Sequence, residues 1–286
     1  MKNKKLILSL VAALVAVVAI FWGISSLSNS ADTKSESTKK TTITVATGGA
    51  PAPFSFTDKD GKITGQNIDL VKAVFEKLPQ YKLEIVQTDF SAIFSGLTSG
   101  RYQIGANNIA KNEEREKNYL FSDPIFANSY VVIFNSDSKL SKAIESWDDL
   151  AGLSTVGSTG INTTTAIENY NKEHPDAAIT FNYSQEDLTS QLRGVESGKY
   201  DFLIMDKPMF EYYQKEFNFN LTSQDVSGDL ANVLLPQPYS YFVFGKDDEK
   251  LQKEVNKALK EVIEDGTSKK INESYFGTDY SPTYKD

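Results

Sequence analysis

No cysteine occurs anywhere in the 286 residues. Disulfides, thiol nucleophiles and thiolate metal sites are therefore excluded, while the redox compartment stays open, because absence is compatible with any of them. Histidine is nearly as scarce. The only one, His174 in "NKEHPD", lies in a polar, proline-containing loop, so a Ser-His-Asp triad or a His-ligated zinc would have to depend on that single residue. Cations are outnumbered, 30 Lys and Arg against 38 Asp and Glu, for a net charge of −8. That balance argues against a duplex nucleic acid partner, which needs clustered basic residues to displace counterions. "GSTG" at 157–160 lacks a following lysine and is no P-loop. Neither a metal nor a cofactor is expected.

What is present is a globular composition, 40% hydrophobic and 12% aromatic, long enough for a sizeable core and roughly two domains. The N-terminus carries a targeting signal: Lys2, Lys4 and Lys5 precede an uncharged apolar run from Leu6 to about Ile24, followed by "SSLSNSADTKSESTKK". Positive charge before the run places the N-terminus in the cytoplasm and the body outside. The run is at the upper limit for a signal-peptide core and close to the ~20 residues of a spanning helix, so the body is either released by cleavage or held by an uncleaved anchor. Residues to about Lys40 read as a flexible tether, and folding begins near Thr41.

From there short β-branched runs alternate with helical-period segments, which predicts parallel strands linked by helices, the α/β class. "TTITVAT", "YKLEIVQT" and "YQIGAN" read as strands, with "NIDLVKAVFEKL" and "FSAIFSGLTSG" as the helices between them. The first helix puts Ile68, Val71, Val74, Phe75 and Leu78 on one face, with Asn67 or Gln66 as its cap. A second unit repeats the plan, and "FSAIFSGLTSGRYQIGAN" rhymes with "LTSQLRGVESGKYDFLIMD": helix, Ser-Gly stop, basic residue, Tyr102 or Tyr200, buried strand. Two like-built lobes suggest a ligand cleft beyond the carboxyl ends of the strands. Asn107 and Asn108 end one strand, Gly157 to Gly160 follow another, and Asp206 ends "FLIMD".

"NNIAKNEEREKNYLFSDPIF" sets Arg115 among Glu113, Glu114 and Glu116. A surface ion pair is one reading of that arginine. The other uses its planar donor fork, which matches a carboxylate, while an acidic side chain such as Asp206 suits an ammonium; together they fit an α-amino acid. The three glutamates read as a solvated helix start.

These segments, with "ATGGAPAPFSFTDKDGKITGQNIDL", "SWDDLAGLSTVGSTG" and the tail around Gly266, resemble in order and spacing the extracellular solute-binding proteins of polar amino acid ABC importers, from Thr41 to Gly277. The resemblance implies the type-II periplasmic-binding fold, two Rossmann-like lobes joined by a two-strand hinge. One lobe would be 41–129 with 232–286 and the other 130–231, with 1–40 as signal or anchor and tether. It further implies that Arg115 grips the ligand carboxylate, Asp206 takes the amino group and Phe90 stacks along the side chain. Asn108 and Ala110 would supply backbone and hydroxyl-position contacts, and Ser158, Thr159 and Asn162 would close from the second lobe. Phe54 is placed equally by ligand contact and by core packing. Pro51 replaces an aromatic and Ala110 a common Thr, so one pocket wall is remodelled, and "NNIAKNEER" resembles cystine-binding members.

The partners so implied are a small amino acid ligand and a membrane permease that reads the closed form, with the chain itself a monomer. Hinge movement is expected near Tyr130–Asn135 and within "NVLLPQPYSYFVF". The absent lipobox cysteine argues against a lipid anchor. An amino-acid or cyclic-acid lyase or dehydratase on the same fold is the alternative. It would need a general acid or base beside the reacting carbon, and the cleft set contains no histidine.

Overall fold

The computed structural model describes residues 40–138, 144–235 and 238–284. The expected signal or anchor segment and all of the tether before Lys40 lie outside the described residues. Lys40–Asp286 groups as a compact unit, and among the described residues no helix is long and apolar enough to cross a membrane.

The chain opens with β1 (Thr41–Thr47), whose Ile43, Val45 and Ala46 are buried. A small hairpin, β2 (Phe56–Thr57) with β3 (Ile63–Thr64), leads into α1 (Gln66–Glu76). Next comes β4 (Tyr81–Gln87), in parallel register with β1 from Thr41↔Tyr81 to Thr47↔Gln87. Helix α2 (Phe90–Thr98) then crosses to β5 (Ile104–Ala110), which joins β1 on its other side. The short helix α3 (Glu113–Asn118) and strands β6 (Leu120–Phe121) and β7 (Phe126–Ala127) follow.

Strand β8 (Tyr130–Asn135) belongs to a second sheet, with β9 (Ser154–Gly157), β10 (Thr180–Tyr183), β11 (Phe202–Asp206) and β12 (Leu221–Asp225) in the order β10-β9-β11-β8-β12. Its helices are α4 (Asn162–Glu173), α5 (Leu188–Glu196), α6 (Lys207–Phe217) and α7 (Gly228–Leu234). The chain then returns as β13 (Tyr239–Phe244), antiparallel between β5 and β6, completing the first sheet as β4-β1-β5-β13-β6 with β7 also on β13. Helices α8 (Glu249–Glu264) and α9 (Thr267–Phe276) cover it.

Strand β8, where hinge movement is expected, is held between β11 and β12 with Tyr130 to Phe134 all buried, and the chain crosses from the first sheet to the second at Asn128 and Ser129 just before it. The return crossing lies between α7 and β13. Helix α7 spans the expected lobe boundary at 231/232, and its Leu230 and Leu234 pack with Trp147, Ile167 and Phe202 under the second sheet.

The repeat seen in the sequence has a packing cause. Tyr102 and Tyr200 fold back onto the helices they follow, buried to 5% and 7% exposure. A Cβ on Gly96 would come within 2.2 Å of the Tyr102 ring, and one on Gly194 within 2.7 Å of the Tyr200 ring. Gly100 and Gly198 turn the chain at φ of 71° and 74°, a conformation glycine adopts without steric cost. Arg101 and Lys199 cover the outer ring faces at 5.2 and 4.9 Å from the centroids. Glycine thus does in each lobe what no larger residue can. Gly96→Ala should lower stability by about 1–3 kcal/mol, the usual cost of overpacking a buried contact, read as a shifted midpoint in urea with unchanged slope.

Candidate functional site

The carboxyl ends of β5, β9 and β11 face one another across the two sheets, and the side chains that follow them form the site. Arg115 is placed by its own short helix. The Asn112 side chain caps α3 by accepting from the Arg115 N–H at 2.9 Å, which sets the residue one turn in. The three neighbouring glutamates are exposed, as a solvated helix start requires.

The arginine itself is only 9% exposed. Its guanidinium donates to the Ala110 carbonyl at 2.8 Å and to the Gly160 carbonyl at 2.8 Å, one from each sheet's side of the cleft. Phe94 and Phe90 lie beneath it, 4.9 and 5.7 Å from ring centroid to Cζ, packed edge to face. Tyr119 continues the shelf behind Phe94. Burial pushes the Arg115 pKa down to about 10, partly opposed by Glu114, so the charge persists at neutral pH.

Asp206 ends β11 directly opposite Tyr130 in the antiparallel register. The residue is partly exposed, yet enough protein surrounds its carboxylate to raise the pKa to about 6; the Asn108 side chain acts in the other direction. Asn108 Nδ2 reaches Asp206 Oδ1 at 3.4 Å, a second link between the lobes. Asn108 holds φ at +50°, a left-handed conformation that asparagine tolerates better than most residues. Its backbone N–H donates to Asn67 Oδ1. The phenol of Tyr130 feels both charges: burial first, then Asp206, raise its pKa well above the usual range, and Arg115 pulls it back.

The remaining expected residues divide. Asn162 comes to the cleft, where its Oδ1 accepts from Asn112 Nδ2 at 3.4 Å and its Nδ2 donates to the Lys111 carbonyl at 3.4 Å. Ala110 contributes the carbonyl already described. The Ser158 hydroxyl is turned inside its own lobe, donating to Ser184 O at 3.1 Å, and Thr159 is exposed; of that turn, the Gly160 carbonyl is what meets Arg115. Phe54 is fully buried against Phe126 and Phe276, with centroids 5.0 and 5.3 Å away, so the structure places it in core packing.

Asn67 and Gln66 require a correction too. Gly65, not either of them, precedes α1 as its cap, and both amides are fully buried in a relay. Asn67 Nδ2 donates to Gln66 Oε1, and Gln66 Nε2 to Asn272 Oδ1. The single histidine stacks on Tyr170 at 4.5 Å, a packing role in the second lobe. Sequence reading missed Phe94, Tyr119 and Asn112, and it took Gly160 only as part of a turn after a strand and Tyr130 only as part of a hinge strand. Only Phe94 left a signal, its i, i+4 spacing from Phe90 on one helix face.

The scan of protein families matches residues 43–278 to "Bacterial extracellular solute-binding proteins, family 3". The chain belongs to that family. Among its relatives is the L-cystine-binding protein TcyJ of Bacillus subtilis, 29% identical over 98% of this chain and 97% of the relative. A solved structure from work on glutathione import via GshT and the cystine ABC importer TcyBC of Streptococcus mutans is 40% identical, with a TM-score of 0.78 over 85% of this chain and 98% of that one. A putative L-cystine ABC transporter structure from Listeria monocytogenes is 32% identical, with a TM-score of 0.73 over 85% of this chain and 98% of that one. The fold is therefore that of the type-II periplasmic binding proteins, and this family member is an extracellular solute-binding protein.

Asp206 gives the site a titration with a definite sign. Its folded-state pKa lies above the ordinary carboxylate value, so the ionised form destabilises the unliganded fold, by on the order of 3 kcal/mol above pH 6. That cost disappears as pH falls from about 6 towards 4. An NMR titration of the Asp206 carboxyl should show a midpoint near 6, and Asp206→Asn should flatten the stability profile across that window; an ordinary midpoint near 4 contradicts the geometry.

Proposed function

We propose that this chain is the substrate-binding component of an ABC importer and captures an α-amino compound of the cystine and glutathione class between its two lobes. One observation carries the reading: a buried guanidinium that follows the first sheet and meets the Gly160 carbonyl of the second lobe, and a shielded carboxylate that ends a strand of the second sheet and meets Asn108 of the first, both stand where the two lobes touch. A ligand with a free α-carboxylate and α-ammonium is the chemical complement of that pair.

The expected roles follow. Arg115 receives the ligand carboxylate, exchanging its contact with the Gly160 carbonyl for a bidentate, charge-assisted pair. Asp206 takes the ammonium, and the positive charge beside it lowers its pKa again on binding. Phe90 and Phe94 form an apolar wall along the ligand's chain. Ser158 and Thr159 stand on the opposing turn and Asn162 at the helix start after it, a segment that already meets the first lobe through Gly160 and Asn162. A small wall at "GGAPAPF" suits a ligand longer than a simple amino acid. L-cystine is the first choice, from the names of the relatives. Glutathione, which ends in a glycine carboxylate and carries a free α-amino acid head, is the second, supported by the 40% identity to the glutathione-import structure.

The lobes in this account are 41–129 with the chain after α7, and 130 to the end of α7 at Leu234, which moves the expected boundary at 231/232 out of the helix. They move about the two crossings as hinge-closing binding proteins do. The closed form, acting as a monomer, is then read by a membrane permease. The body works on the outer face of the membrane, held by its apolar N-terminus or free after cleavage. Binding without catalysis is the assignment. The cleft offers a cation, one carboxylate, amides and a phenol, and the histidine is spent on Tyr170.

In calorimetry the wild-type chain should bind L-cystine or glutathione. Arg115→Ala should lose about 3–5 kcal/mol of that affinity, because a ligand carboxylate is left without its partner, while keeping its circular dichroism spectrum. Undiminished affinity in the variant, or no binding of either probe by the wild type, contradicts the reading.

A further inference from the structure

We infer that Asn67 is a positioning residue for the ammonium site: its carboxamide, the inner end of a buried one-way chain of amides, holds the Asn108 backbone in the turn from which the Asn108 side chain meets Asp206. The inference rests on the reading of Asp206 as the ammonium site, while the placement of Asn108 is tested without a ligand.

Asn67 stands at the start of α1, where a helix leaves its first N–H groups without partners of its own. The loop before it serves them: Gln66 N–H donates to Pro53 O and Asn67 N–H to Phe54 O, both at 2.9 Å. The two side chains are thereby released from capping, and both are fully buried, as is Asn272 on α9. Asn67 Oδ1 accepts from the Asn108 N–H, Asn67 Nδ2 donates to Gln66 Oε1 at 2.6 Å, and Gln66 Nε2 donates to Asn272 Oδ1 at 2.9 Å. Asn272 Nδ2 ends the chain on Asp279 Oδ1 at 3.4 Å and Ser281 Oγ at 3.1 Å. A buried amide end left unpaired costs about 1–3 kcal/mol, so the chain holds as a unit.

Its direction is fixed from both ends. The Asn108 N–H can only donate, so the oxygen of Asn67 faces it; an ionised carboxylate can only accept, so the NH₂ of Asn272 faces Asp279. The Ser281 hydroxyl can turn and sets no direction. Every amide between the two ends is then oriented, and turning one over would oppose two oxygens or two NH₂ groups.

What the chain holds is an uncommon backbone. Asn108 lies inside β5 with φ at +50°, a left-handed conformation that persists in a residue with a side chain only when its surroundings hold it. From that turn the side chain crosses to the second lobe, donating through Nδ2 to Asp206 Oδ1 at 3.4 Å. The donor favours the ionised carboxylate, the form that pairs with an ammonium. The Tyr130 phenol, opposite Asp206 in the sheet, feels both that carboxylate and Arg115, and the ammonium of the next residue, Lys207, pairs with Asp225 at 2.9 Å. None of these three belongs to the amide chain.

The test follows the Asp206 carboxyl by NMR titration in Asn67→Ala, in Asn108→Gly, which removes the side chain while favouring the same backbone conformation, and in the chain with both changes. Each single change should raise the Asp206 midpoint by about 0.5–1 unit, the worth of one hydrogen bond to the charged form, and the two together should raise it no further than one alone. An unchanged midpoint in Asn67→Ala, or shifts that add, would overturn the inference and leave Asn67 a packing residue. A second variant tests the direction of the chain and decides the matter where Asn67→Ala does not fold. Asn67→Asp keeps the size but can only accept, so the chain has to reverse towards Asp279; its urea midpoint should fall, and adding Asp279→Asn, which offers Asn272 a donor, should restore at least half of the loss. No recovery would equally overturn the inference. Asn67→Ala should also bind L-cystine about tenfold more weakly while binding dithiodipropionic acid, the same disulfide diacid without amino groups, within about twofold of wild type; equal losses would overturn the link to the ammonium. Failure of the wild type to bind L-cystine and glutathione alike would sink the ligand class instead, and the Asp206 midpoints would still decide the placement of Asn108.

Discussion

A full positive charge is buried between two sheets with backbone carbonyls, not a carboxylate, as its hydrogen-bond acceptors. The Arg115 guanidinium meets Ala110 O from one side and Gly160 O from the other. Carbonyl dipoles and two phenylalanine faces soften the desolvation, but they do not neutralise the charge as an anion would. On the far side Asp206 carries the mirror problem, a shielded carboxylate whose pKa burial has raised against the pull of the Asn108 side chain. Each half of the molecule holds a charge that a zwitterion between them would satisfy.

The scaffold explains why these groups can be held so. Parallel strands bring the carboxyl ends of β5, β9 and β11 to the cleft, and the glycine-tyrosine locks at Gly96/Tyr102 and Gly194/Tyr200 fix the helices preceding β5 and β11. The amide relay from Asp279 through Asn272, Gln66 and Asn67 to Asn108 then carries that rigidity into the site without adding charge. Site geometry therefore depends on residues far away in the chain, including the C-terminal stretch whose Tyr280 stacks on Phe126 at 4.9 Å.

This separation decides what could be read from the sequence. The alternation of strands and helices, the Ser-Gly-basic-Tyr repeat and the strand-end position of Asp206 are local patterns, and they were legible; Asn108, read as a strand end, lies inside β5, which continues to Ala110. Arg115 was legible because an arginine amid glutamates at a strand end raises the question by itself. Gly160 was not, since its contribution is a backbone carbonyl with no side-chain signature. Gln66 and Asn67 were taken for helix caps because caps are the local use of such residues; their true partners, Asn272 and Asn108, are distant in sequence. Phe54 was evenly balanced, and only the positions of Phe126 and Phe276 resolve it. Tyr130 was read as part of a hinge strand; its burial and its pairing opposite Asp206 are tertiary facts with no local signature.

A crystal structure of the chain with L-cystine bound tests the central claim most directly. The account predicts one ligand carboxylate on the Arg115 guanidinium, with the Gly160 carbonyl displaced from it, and the neighbouring ammonium against Asp206. Ligand density away from this cleft, or an unchanged Arg115 to Gly160 contact beside a bound ligand, would contradict it.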